Sequence, residues 1–245
     1  MNVLFVGESW TSYSVEIKGF NIYTTGSYEE GGGPLLEVFK HKKIDYDYIK
    51  SHEVAKKFPD EINVLNKYDV VIFSDVGSDT FLLHPETINE SKVRTNRLNL
   101  VAEYVEKGGA FLMIGGYLSF SGFEGKANYI NTIIQDVLPV KLLGRDDRIE
   151  KPEGCIPVIE QEHEIIDGIN KWPKLLGYNR LIAKDDSEVL LSVGEDPFLV
   201  IGRYGKGRAA AFASDCSPHW GSPEFVNWDH YEKIWYNLLS WLEKS

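Results

Sequence analysis

The stretch GAFLMIGGYLSFSGFEG, residues 109–125, reads as a buried apolar strand running into a glycine-rich turn. A strand that ends in a sharp turn projects one side chain above the sheet edge, and flanking glycines let backbone amides approach a developing anion. An α/β enzyme would place its nucleophile there. This chain places Tyr117, so the stretch has the shape of a catalytic elbow without its usual Cys or Ser.

Working outward, Val3–Val6 closed by Gly7 reads as a buried first strand, and the alternating Ile44–Ile49 as a strand nearer an edge. Gly31-Gly32-Gly33-Pro34 opens a helix whose apolar stripe is Leu35, Leu36, Val38 and Phe39, and Pro34 suits its first turn. Ser51 is expected to cap the next helix. The run Asp69–Asp75 is continuously apolar between its ends, as in a parallel sheet covered on both faces. A long helix is expected after it, with Leu98, Val101 and Val105 on one face and Gly108-Gly109 as its stop.

This strand and helix alternation predicts an α/β fold, a doubly wound and mostly parallel sheet flanked by helices in the flavodoxin-like manner. Residues 141–182 mix charge, proline and short apolar pieces, and are expected to form peripheral strands and loops. Glu188–Val193, Phe198–Tyr204 and Arg208–Ser214 are additional strands, the last two joined antiparallel through the turn at Gly205-Lys206-Gly207. Tyr231, Ile234, Trp235, Leu238, Leu239 and Leu242 form the stripe of a final amphipathic helix. No linker composition divides the 245 residues, so a single domain, 1–245, is expected.

With 37 acidic against 26 basic residues, the net charge is −11, which argues against nucleic acid or an anionic membrane surface as partner. No run of about 18 apolar residues exists to span a bilayer. The amino terminus lacks a basic n-region and reads as a strand rather than a secretory signal. Cys155 and Cys216 stand far apart and outside any zinc spacing, which fits a reducing cytoplasm. No metal and no cofactor are expected, because no His-x-His, His-Glu-x-x-His or EF-hand spacing occurs; a carboxylate site from Glu8, Asp75 and Asp215 is the minority alternative. Symmetric assembly is common among soluble chains, so a homo-oligomer is expected.

Ligands of open α/β sheets bind beyond the carboxyl ends of the strands. The candidate ligand-binding residues there are Glu8, Ser9, Trp10, Asp75, Gly116, Ser119 and Trp220, with a small polar metabolite as partner. His219, in the turn after a core strand, is the first candidate for acid or base chemistry, with Asp215, Glu224 or Glu8 fixing its tautomer. Tyr117 is either a proton or hydrogen-bond donor or an aromatic plug closing the vacated elbow. Ser119 lacks an evident base, and Cys216 reads as inert packing unless His219 lowers its pKa.

Together, VIFSDVG (71–77), GGAFLMIGGYLSFSG (108–122), LLGYNR (175–180) and AFASDCSPHWGSPEFVNW (211–228) resemble the class I glutamine amidotransferase-like family. The similarity is to its subgroup related to trehalose-utilisation-type proteins and spans nearly the whole chain. It implies the class I glutamine amidotransferase-like fold and, by name, glutamine hydrolysis. A working member has a Gly-x-Cys-x-Gly elbow; here the stretch is Gly115-Gly116-Tyr117-Leu118-Ser119, so the nucleophile is missing. The family's later His-x-Glu motif falls near His219 and Glu224, which stand five residues apart. The leading expectation is a cytoplasmic relative that has lost glutaminase activity and uses the carboxyl edge of the sheet for small polar metabolite binding or a Cys-independent hydrolysis. The alternatives are a glutaminase using Cys216 as a displaced nucleophile, and a non-catalytic assembly module presenting Trp10, Trp172, Trp220 and Trp228 to a partner.

Overall fold

Apolar runs of five residues form the middle of one large sheet. A computed structural model describes residues 1–243. The strands are β1 (Asn2–Gly7), β2 (Ser9–Lys18), β3 (Asn21–Glu30), β4 (Asp45–Lys50), β5 (Val70–Ser74), β6 (Ala110–Ile114), β7 (Val140–Lys141), β8 (Arg148–Cys155), β9 (Val158–Ile159), β10 (Leu175–Asn179), β11 (Ile182–Ala183), β12 (Glu188–Val193), β13 (Asp196–Tyr204) and β14 (Gly207–Phe212). The helices are α1 (Gly33–Lys42), α2 (Ser51–Lys57), α3 (Ile62–Leu65), α4 (Asp79–Leu82), α5 (Pro85–Glu90), α6 (Arg97–Glu106), α7 (Ile134–Val137), α8 (Pro223–Val226) and α9 (Tyr231–Glu243).

Eight strands pair in the order β4-β1-β5-β6-β14-β13-β12-β9. The first five are mutually parallel, and β13, β12 and β9 continue the sheet antiparallel. Every residue of β5 and β6 is buried, which requires cover on both faces. The expected α/β fold with extra antiparallel strands is therefore what forms. Strand order reverses between β1 and β5, so the ends of these two strands, at Glu8 and Asp75, flank the crevice where such sheets bind ligands.

Helix α9 buries all six residues of its expected stripe, together with Trp241. Each large apolar side chain so covered contributes about 1.5–3 kcal/mol. The turn between β13 and β14 has Gly205 at φ 58°, as a tight hairpin requires.

Two expectations are corrected. The long helix after β5 is broken into α4, α5 and α6, because Pro85 starts a new helix and residues 91–96, polar except for the exposed Val93, bury nothing. Leu98, Val101 and Val105 still face the core from α6. Ser51 is not a cap: it is the first residue of α2, and its backbone N–H donates to Ser9 Oγ at 2.9 Å. In addition, residues 9–30, assigned no element from the sequence beyond Ser9 and Trp10 at the crevice, form a β2–β3 hairpin, exposed from Thr11 to Glu30.

Candidate functional site

Buried carboxylates meet at the crevice. Glu8 follows β1 in a left-handed conformation, φ 47°, and its side chain turns inward, leaving the residue 1% exposed. Its Oε1 accepts from Ser217 Oγ at 2.7 Å, and its Oε2 accepts a short hydrogen bond from Ser74 Oγ. Ser217 Oγ also lies 3.1 Å from Asp215 Oδ1, which accepts the Ser217 N–H at 3.0 Å. Asp215 is 3% exposed. Burial first, then the charges of Asp215 and Asp75, push the Glu8 carboxyl well above the usual range, so Glu8 keeps its proton where ordinary glutamates lose it.

Asp75, also at positive φ, turns toward the elbow. Its Oδ1 accepts the Leu118 N–H at 2.6 Å, and its own N–H donates to Ser119 Oγ at 3.1 Å. Burial and Asp215 raise its carboxyl to about 6. Gly116 is required here: a Cβ on it would stand 2.9 Å from Asp75 Oδ1. Asn179 clamps the same residue, accepting the Gly116 N–H at 3.0 Å and donating to the Gly116 carbonyl at 3.2 Å and to Asp147 Oδ1 at 2.8 Å.

The Tyr117 side chain stands at the elbow and is packed rather than free. Its hydroxyl donates to Glu150 Oε1 at 2.9 Å, while Trp220 Nε1 donates to Glu150 Oε2 at 3.1 Å. The Arg148 guanidinium lies 5.0 Å from the Tyr117 ring, and the His219 ring meets that ring edge-on at 4.5 Å. His219 also stacks on Trp220, with ring centroids 5.4 Å apart. Burial and Glu150 raise the phenol above its ordinary pKa, so it remains a neutral donor.

His219 Nδ1 lies 3.7 Å from Asp215 Oδ2, an ion-pair distance beyond a direct hydrogen bond. That carboxylate raises the imidazole above its ordinary pKa. His219 therefore joins the buried acids to the aromatic surface of Tyr117 and Trp220.

Ser119 has no nucleophilic role in this arrangement. Its hydroxyl donates to the Ile114 carbonyl at 2.5 Å while accepting from Asp75. Cys216 is fully buried, its Sγ 3.8 Å from Ser74 Oγ and 3.9 Å from Glu8 Oε2. Burial and the neighbouring acids Glu8 and Asp215 raise its thiol well above the usual value, the opposite of an activated thiolate. Cys155 is also buried, with its thiol donating to the Leu175 carbonyl.

Oxygens of Glu8 and Asp215 and the Cys216 sulfur lie within 4.8 Å of one another and form the one set of metal-ligand type among the described residues. Within this set, Ser74 Oγ, Ser217 Oγ and the Ser217 N–H donate to the Glu8 and Asp215 oxygens.

The structure thus brings Glu8, Asp75, Gly116, Tyr117, Ser119, Asp215, His219 and Trp220 into one contiguous region. Ser9 and Trp10 lie at its margin: Ser9 is tied to α2, and the Trp10 ring would stand 3.0 Å from a Cβ on Gly31. Glu224 stays outside, exposed in the first turn of α8, and makes no ion pair with His219 among the described residues. The tryptophans do not form a partner surface: Trp172 and Trp220 are buried, and Trp228 packs against Trp172. Sequence reasoning missed Ser74, Glu150 and Asn179. Glu150 was legible as the residue two along from Arg148 on one face of a strand.

The sequence matches the family described as "Putative glutamine amidotransferase", GATase1-like, over residues 2–244, and the chain belongs to that family. No curated protein matches it. Among solved structures it is similar to Cytoplasmic Protein STM3548 from Salmonella typhimurium, with 47% identity and a TM-score of 0.96 over 99% of both chains. It is similarly close to Cytoplasmic Protein STM1381 from Salmonella typhimurium LT2, with 48% identity and a TM-score of 0.96 over 99% of both chains. A beta-galactosidase from Rahnella sp. R3 shares the fold alone, at 15% identity and a TM-score of 0.56 over 86% of this chain and 26% of that one.

Proposed function

We propose that this chain is a cytoplasmic member of the family that has lost glutamine hydrolysis and binds a small polar metabolite at the Tyr117 and His219 surface, which the buried Trp220 supports from beneath. One observation carries the reading: the elbow side chain is a phenol held by Glu150 and covered by Arg148, while both thiols are buried elsewhere. With Ser119 consumed by backbone contacts, no nucleophile faces the surface, which favours binding over covalent catalysis. The partly exposed His219, made more basic by Asp215, supplies a donor to an acceptor group of the ligand, and the Tyr117 ring, edge-on to the imidazole and backed by the buried Trp220, supplies an apolar wall. The cytoplasmic setting follows the two Salmonella relatives, whose names carry it.

The test is a thermal-shift screen of amino acids, sugars and small carboxylic acids on wild type and His219→Ala. A compound that raises the wild-type melting temperature is expected to lose its effect in the variant, whose unliganded melting temperature stays within about 2 °C, as for a surface substitution. A compound that shifts both proteins equally, or a variant that melts many degrees lower, removes His219 from the binding role.

A further inference from the structure

The β2–β3 hairpin is sorted by face. Cross-strand partners share a face, so the register Thr11↔Tyr28, Tyr13↔Gly26, Val15↔Thr24 and Ile17↔Ile22 defines one side of the ribbon. None of those eight residues is charged; the face ends at its root in Ser9 and Glu30, where Tyr28 donates to Glu30 at 2.9 Å and Lys50 pairs with that carboxylate at 2.7 Å. The other side holds Ser12, Ser14, Glu16, Lys18, Asn21, Tyr23, Thr25, Ser27 and Glu29, and its side chains pair with one another: Tyr23 with Glu16 at 2.5 Å, Lys18 with Glu16 at 3.5 Å and Ser27 with Glu29 at 3.2 Å. This is the alternation of a strand pair with one wet and one dry face. Yet the dry face is bare: Tyr13 is 79%, Ile17 68% and Ile22 66% exposed, and Phe20 at the tip is wholly so.

A lone two-stranded ribbon is at best marginally stable in water, and a patch this apolar on a soluble chain marks an interaction surface. Charge limits where a second copy can dock: the chain carries a net −11, so most of its surface repels a second copy, whereas the neutral face from Thr11 to Tyr28 does not. Its area is of the order a dimer needs: with about 150–250 Å² for each exposed aromatic, the apolar side chains offer on the order of 700 Å², within the roughly 600–1,000 Å² per partner of a stable complex.

The geometry points to a homodimer arm: the apolar face of the β2–β3 hairpin packs against the same face of a second copy across a two-fold axis. Val15 and Thr24, midway along the face, lie nearest that axis. This interface is independent of the ligand reading.

Sedimentation of the full chain at about 10 μM tests it, a concentration at which interfaces of standard size are normally closed. The wild type is expected to sediment as a dimer, Val15→Glu and Val15→Lys each as a folded monomer by circular dichroism, and their equimolar mixture as a dimer again. Ser14→Glu, on the polar face, is expected to stay dimeric. A monomeric wild type, a dimeric Val15→Glu, a mixture that stays monomeric or a monomeric Ser14→Glu overturns the proposal.

Discussion

Asp75 shows how far single residues of the site could be read. Its place at a strand end was legible, because strand ends are where an open sheet gathers polar groups, but its partners were not. The hydrogen bonds from Leu118 and the closeness of Asp215 arise from segments 43 and 140 residues away, which no local pattern encodes. Glu224 failed for the converse reason: proximity in sequence to His219 did not survive the start of α8 between them. The raised Asp75 carboxyl, at about 6, has a consequence for stability. The native state holds this proton more tightly than the unfolded chain, whose aspartates titrate near ~3.9, so unfolding free energy falls as pH rises between about 4 and 6. Asp75→Asn removes the charge, keeps an oxygen acceptor for Leu118 and suits the positive φ. It is expected to be more stable than wild type by about 1–2 kcal/mol at pH 8, with the gap closing by pH 4. Urea unfolding at the two pH values measures this; a variant no more stable at pH 8 contradicts it.

Among elements, the parallel core strands and α9 were legible because their apolar period answers to the chain's own core. The β2–β3 hairpin was not assigned from sequence, although Tyr13, Val15 and Ile17 alternate with polar residues and Gly19 opens a two-residue turn. Apart from Tyr28 at its root, whose ring meets His52 edge-on at 5.2 Å, its apolar face packs against no other element among the described residues. The root of this hairpin is bound to the site: Gly31 N–H donates to the Glu8 carbonyl at 2.9 Å. A Cβ on Gly31 would stand 2.6 Å from Glu8 Oε1 and 2.9 Å from Ser217 Oγ. Gly31→Ala is therefore expected to cost about 1–3 kcal/mol by overpacking. Gly33→Ala, where a Cβ meets nothing within 4 Å, should change stability little. Thermal melts of the two variants compare them, and equal melting temperatures would show that the root is not tightly packed.

At the scale of the whole molecule, the family match spans residues 2–244, while the elbow carries Tyr117 where the proposed loss of glutamine hydrolysis needs no thiol. Fold and catalytic residues respond to different demands. The sheet needs its apolar strands and covering helices, whereas glutamine hydrolysis needs one accessible thiolate beside an imidazole. Here His219 faces Asp215, a phenol and an indole, and the sulfur of Cys216 is buried among acids. The same comparison explains why class and architecture were readable from four short motifs but the ligand was not. The surroundings of Tyr117 are set by Glu150, Arg148 and the ring packing, which only the folded arrangement assembles.

The most direct measurement is incubation of the full chain with a glutamine-derived chloroketone, followed by intact-mass analysis, with ammonia release from glutamine assayed in parallel. The account predicts an unmodified mass and ammonia no higher than in a protein-free blank. A covalent adduct on Cys216 or Cys155 accompanied by ammonia release would contradict it.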